Sequence, residues 1–429
     1  MPQRSVGRSL IAVEVGEERS RRALAWICLA ALGTLVAGVV YLRPSLAPPA
    51  ATTPAASARA AVPGSAWRLT SASFADANHG TVLFGSGQAP TTTFLTSDGG
   101  KTWHLAVRAP TNGYAAAVFL DTTTVVAQTA SSLGPGPAVP IETRISHDAG
   151  RTWRPLPDPR HNPGLGWPGF LDPQHAWWID AVSSPDARTP VAIWRTSNGG
   201  TTWRPLVASG LSETGVPGPP VFIDPLHGVL LFTAPDGTQS AVATSDGGES
   251  WGATKAPRVT VQADRLERGV LLRHGHRLLF WLLAVTAVGG PSIEYLPFVS
   301  VSDDGGQTWS QPRPAPSIVQ PWYIGPYPRL DDRGRLLLLD DRRLWISEDD
   351  GDTWAALLMQ VPAELRLTML ISAVPGALYA MAEKGGPVRI VRPVSAGAVP
   401  IAGSPPTLTR SPDGGAHWSL VALPRPPQP

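Results

Sequence analysis

An eight-residue motif closing on tryptophan recurs seven times, so the chain is read as stacked units. The copies run Thr96–Trp103, Ser146–Trp153, Thr196–Trp203, Thr244–Trp251, Ser302–Trp309, Ser347–Trp354 and Ser411–Trp418. Their third residues are Asp98, Asp148, Asn198, Asp246, Asp304, Asp349 and Asp413, and their last are Trp103, Trp153, Trp203, Trp251, Trp309, Trp354 and Trp418. Self-similarity at a period of roughly 45 to 65 residues means stacked supersecondary units, each needing its neighbour to bury a face.

Each copy reads as a turn followed by an anchor. Asp-Gly-Gly between extended runs is a hairpin signal, because glycine accepts positive φ while the carboxylate and the Ser/Thr hydroxyl bind nearby backbone amides. The tryptophan then opens the outer strand and buries its ring between sheets. The spacing matches one four-stranded blade, so the chain is predicted to be all-β, a seven-bladed β-propeller over residues 66–429. The motif resembles the Asp box, or BNR repeat, of sialidases, sortilin-type receptors, xyloglucan hydrolases and photosystem II assembly factors. That resemblance implies a structural role for the boxes on the blade periphery, away from any active site. Asn198, Pro412 and His417 depart from the pattern, and the last two predict a looser seventh turn.

The ends set the location. Residues 23–42 form a 20-residue run without charge, long enough to span a bilayer as one helix. Arg19, Arg21 and Arg22 precede it and Arg43 follows, which keeps residues 1–22 in the cytoplasm and exports the remainder. The expectation is a single-pass signal anchor in the cytoplasmic membrane, with residues 43–65 as a Pro/Ala-rich tether and the propeller on the extracytoplasmic side. The rival reading is a signal cleaved near Ala56-Ser57-Ala58, giving a secreted domain. Cys28, the sole cysteine, lies inside the apolar run, so no disulfide staples the exported domain. The first 65 residues hold seven Arg and three acids, leaving 28 basic and 30 acidic residues beyond them; a balance of −2 argues against a nucleic-acid partner.

Metal and cofactor sites are not expected. His79, His175 and His227 occupy matching turns of different blades, too far apart to converge on one ion. His274 and His276 would share one strand face but lack a third ligand, and Asp349-Asp350-Gly351-Asp352 sits inside a box.

In a four-stranded meander the boxes mark one face, and the irregular connections leave from the other. There we place a candidate ligand surface of Arg160, His161, Trp167, Arg188, Glu294, Tyr295, Trp322, Tyr323 and Tyr327. No catalytic residue is assigned. The Arg-Ile-Pro motif of sialidases is absent, its nearest string, Arg144-Ile145-Ser146, leads into a box, and tyrosine is scarce. The leading expectation is a non-catalytic binding or scaffold module for a protein or polysaccharide. The alternative is an exo-sialidase-like glycoside hydrolase.

Overall fold

The computed structural model describes residues 68–86, 89–109, 114–130, 141–159, 168–181, 191–211, 216–233, 239–255, 257, 265–287, 292–321, 327–340, 343–384 and 406–424. They form seven antiparallel sheets and no helix. The first blade is β1 (Arg68–Phe74), β2 (Gly80–Ser86), β3 (Ala89–Thr96) and β4 (His104–Arg108), paired in sequence order. The other six span residues 114–155, 169–206, 216–254, 265–321, 329–358 and 365–420. Two carry a fifth short strand: the inner edge of blade four is split by the segment 218–220, and Ile318–Pro321 extends the outer edge of blade five. The hydrophobic run 23–42 and its tether lie outside the described residues.

The core is divided among the blades. Seven clusters of buried side chains each straddle one blade-to-blade interface, including one that joins blade seven to blade one. Strand alternation feeds them: neighbouring residues point to opposite sheet faces, so each blade serves two interfaces. Trp177 packs toward blade four and Trp178 toward blade two, both fully buried.

One joint recurs in the interfaces after blades three and seven. Trp177 stacks on Phe222 of the next blade at 3.4 Å between ring centroids, and Tyr379 stacks on Phe74 at 3.5 Å. Each ring sends its polar tip onward: Trp177 Nε1 donates to Gly247 O, and the Tyr379 hydroxyl donates to Ala77 O, both at 2.9 Å. An arginine directly across the ladder covers each ring, Arg195 at 5.5 Å and Arg410 at 5.9 Å. Burial pushes the Tyr379 phenol up to about 12, so it stays a donor at any physiological pH. Blade seven takes all four strands from residues 365–420 and blade one all four from 68–108, so the ring closes by side-chain packing without strand exchange.

Candidate functional site

The two faces of the ring differ in how their backbone polar groups are satisfied. On the box face, the hydroxyl that opens each box donates to the third residue's Oδ1 and accepts the amide of the glycine four positions on. In the first box these bonds are Thr96 Oγ1 to Asp98 at 2.8 Å and Gly100 N to Thr96 at 2.9 Å. Asp98 also accepts the Thr102 amide at 2.9 Å and its hydroxyl at 2.6 Å. In six blades the outer strand begins one residue after the tryptophan, and in blade five it begins four residues after; in five boxes the indole donates to the box's own glycine carbonyl.

The departures preserve this network. Asn198 Oδ1 accepts from Thr196 and Thr202 as an aspartate would, while its Nδ2 donates to Thr202 Oγ1 at 2.8 Å, reversing one bond's direction. The seventh turn is not loosened as expected. His417 Nδ1 reaches Asp413 Oδ2 at 2.5 Å in the place of a threonine hydroxyl, and Ser411, Gly415 and Trp418 make the usual bonds.

A second turn, between the first two strands of a blade, clasps the box. Asp76 Oδ1 accepts the Asn78 and His79 amides while His79 Nδ1 sits 3.0 Å from the same carboxylate; Asp172 with His175 and Asp224 with His227 repeat it. The turn's carbonyl then takes a box amide: Gly99 N to Asn78 O, Gly199 N to Gln174 O, Gly247 N to Leu226 O. The three histidines therefore bind their own turns.

Blade five breaks the pattern. Its first two strands join through a two-residue turn at Gly275-His276, so His274 ends one strand and His276 lies in the turn, not on a shared strand face. The space left open is a depression of about 430 Å³ between blades five and six, lined by His274, His276, Arg277, Asp303, Arg333, Gly334, Glu348 and Asp350. Arg277 takes over the missing clasp, bonding Asp303 at 2.6 Å and, in the next box, Asp350. Arg313 holds Asp352 at 2.6 Å and the Asp350 carbonyl at 3.0 Å. The acidic run of the sixth box is thus engaged by arginines of blade five, and among the described residues no group of three His, Cys, Asp or Glu is arranged to hold a metal.

Arg273 belongs to no sequence motif, yet it joins three blades. Register aligns it, through Leu278 and Ser302, with Phe74, Phe119, Phe170 and Phe222 of other blades. It reaches Phe222 O at 3.2 Å and Leu171 O at 3.0 Å, tying blades three, four and five together. The shortened His-Gly-His turn is the sequence signal that marks this region.

Of the residues expected on the opposite face, Arg160, His161, Trp167, Arg188, Trp322 and Tyr323 lie outside the described residues. Glu294 and Tyr295 adjoin on the strand Ser292–Ser302 and point to opposite sides of it. Tyr295 is 1% exposed in the cluster between blades five and six, and Tyr327 is half-buried against that cluster. The Tyr295 ring is core, which removes it as a ligand platform; its aromatic character is spent on blade packing. At the seam between blades seven and one, Glu383 is pushed up by burial, opposed by the nearby Arg366 and Arg68. Arg329, beneath blade seven, donates to Ile371 O at 2.8 Å, and burial pulls it down to about 10.

The BNR/Asp-box repeat model matches residues 300–311, the fifth box with two residues on either side. No curated protein sequence matches the chain. Among solved structures, the chain is similar to the alpha-L-arabinanase of Penicillium chrysogenum complexed with arabinobiose, at 12% identity over 61% of this chain and 85% of that one, TM-score 0.38. It is also similar to the GH93 alpha-L-arabinofuranosidase of Fusarium graminearum (13%, 64% and 88%, TM-score 0.41) and the sialidase of Trypanosoma rangeli (13%, 75% and 53%, TM-score 0.36). Similarity at this level transfers neither a substrate nor a site. The protein is a seven-bladed β-propeller whose fifth box matches the BNR/Asp-box repeat.

The box carboxylates give an acid-stability signature. Hydrogen bonds from Thr102, Thr152 and Thr353 hold Asp98, Asp148 and Asp349 down at about 2, against an ordinary value near 3.8. A folded pKa below the unfolded one contributes stability that is complete above the unfolded value and is lost as pH falls through the folded one. The melting temperature is therefore expected to hold down to about pH 4 and to fall steeply between about pH 4 and pH 2. An Asp98→Asn variant, copying the third box, should melt like the parent at pH 7 and lose less between those limits. Equal losses in variant and parent, followed by circular dichroism, would show that the box is not the acid-labile element.

Proposed function

We propose that this protein is a membrane-tethered, extracytoplasmic propeller that binds a protein or polysaccharide, without chemistry, on the face opposite its boxes. One observation carries the reading. On the box face, five of the seven first turns have five residues, and six of the seven box connections have seven. On the other face, the links between second and third strands range from two residues in blade one to 22 in blade seven, with 10 and 9 in blades two and three. Uniform turns whose polar groups are spent on one another make a scaffold. Variable connections on a rigid ring are where recognition is built.

The test uses the full chain purified in detergent, binding labelled cell-envelope polysaccharide or a crosslinked envelope protein. Lys384→Glu, on the variable face, is expected to weaken binding several-fold, while Lys101→Glu, on the box face, leaves it unchanged. Turnover of a fluorogenic sialoside, abolished by a single arginine substitution, would replace this reading with the hydrolase.

A further inference from the structure

We infer that the propeller stands on the membrane with its variable face toward the bilayer and its box face toward the outside, an inference that rests on the tethered reading above. The direction of β1 carries it. The strand enters at Arg68 and ends at Phe74, and the turn that follows it bonds the first box through Gly99 N to Asn78 O. Arg68 is therefore at the face opposite the boxes, and β1 is the inner strand of its blade, beside the central axis.

The chain between the apolar run and this strand meets the variable face by the shorter path. Residues 43–67 number 25. As a flexible coil they span roughly 25–30 Å root-mean-square. To put the box face down, the chain would have to cross three strand spacings, about 14 Å, then descend the length of a seven-residue strand, about 23 Å, before reaching the level of the boxes. As a stiff proline-rich spacer of about 3.1 Å per residue the segment is longer, but it would then have to double back around the rim. Neither regime favours inversion.

Both faces carry exposed charges of both signs, so the direction of β1 and the linker set the orientation; on the variable face Arg68, Arg108 and Lys384 stand with Glu142 and Glu364. A ligand of that face is consequently one held close to the membrane.

Cys28 is the only cysteine, so a Cys28→Ser chain gives a thiol-free background. Single cysteines replace Lys384 or Arg108 on the variable face and Lys101 or Thr201 on the box face, all exposed positions. Each full-length variant carries a thiol-linked fluorophore and is reconstituted in vesicles of mixed zwitterionic and anionic lipid, with or without nitroxide-headgroup lipid. Retained melting temperature screens each variant for folding. Flotation with the vesicles is expected. The labels at positions 384 and 108 should then lose most of their emission to the nitroxide, while those at 101 and 201 lose little. Flotation with equal or reversed quenching would overturn the orientation and leave the tether standing; failure to float would overturn both.

Discussion

Tyr379→Ala is expected to lower the free energy of unfolding by about 3–5 kcal/mol, the usual cost of truncating a buried aromatic ring. The residue is fully buried, stacks on Phe74 and donates to Ala77 O, so the substitution removes the ring, the hydroxyl and the cover over Phe74 together. Trp177→Ala is the matched comparison, because Trp177 occupies the same joint between blades three and four. Urea titration followed by tryptophan emission separates two views of the ring. If the seam between blades seven and one is an ordinary interface, both variants shift a single transition by similar amounts. If the seam is the weak point, Tyr379→Ala alone splits the transition in two. Tyr379→Phe keeps the stack and loses the hydrogen bond, and should cost only about 1 kcal/mol.

Gly306→Ala should cost about 2–5 kcal/mol for a single added methyl, combining left-handed backbone strain with overpacking. Gly306 has φ +87°, and a Cβ there would lie 1.9 Å from Val229 Cγ2 on the preceding blade. The same glycine donates its amide to Ser302 Oγ at 2.8 Å and accepts the Trp309 indole at 3.0 Å, so a shift of the backbone to relieve the clash disturbs both. Thermal unfolding of the variant checks the size of the loss. A melting temperature equal to the parent's would mean that the box turn yields to its neighbour instead of bracing it.

The boxes are legible in the sequence because their chemistry is local: every partner of Asp98 or Asp413 lies within four positions. That locality also explains why His417 does not loosen its turn, since an imidazole Nδ1 reaches the carboxylate that a threonine hydroxyl would and keeps the turn closed. The depression between blades five and six is not legible. It depends on Arg277 meeting Asp350, 73 positions away, across an interface that only assembly creates. Tyr295 reads as part of an irregular connection on the opposite face, whereas the strand Ser292–Ser302 takes it into the blade interface. Arg273 escapes notice for a similar reason: only the strand register reveals that it stands where four other blades place phenylalanine.

A ring that closes without strand exchange has a consequence for the order in which it is made. The seam bond from Tyr379 to Ala77 joins residues 302 positions apart. At about 5–20 residues per second, blade one waits roughly 15–60 s after its own synthesis before the partner that covers Phe74 is translated. Through that interval the nascent chain carries an open sheet face at its leading end, and the same face is covered last. Molecular chaperones that meet this protein have their longest opportunity at the first blade, and a nascent chain stalled before residue 379 presents them with a row of blades open at both ends.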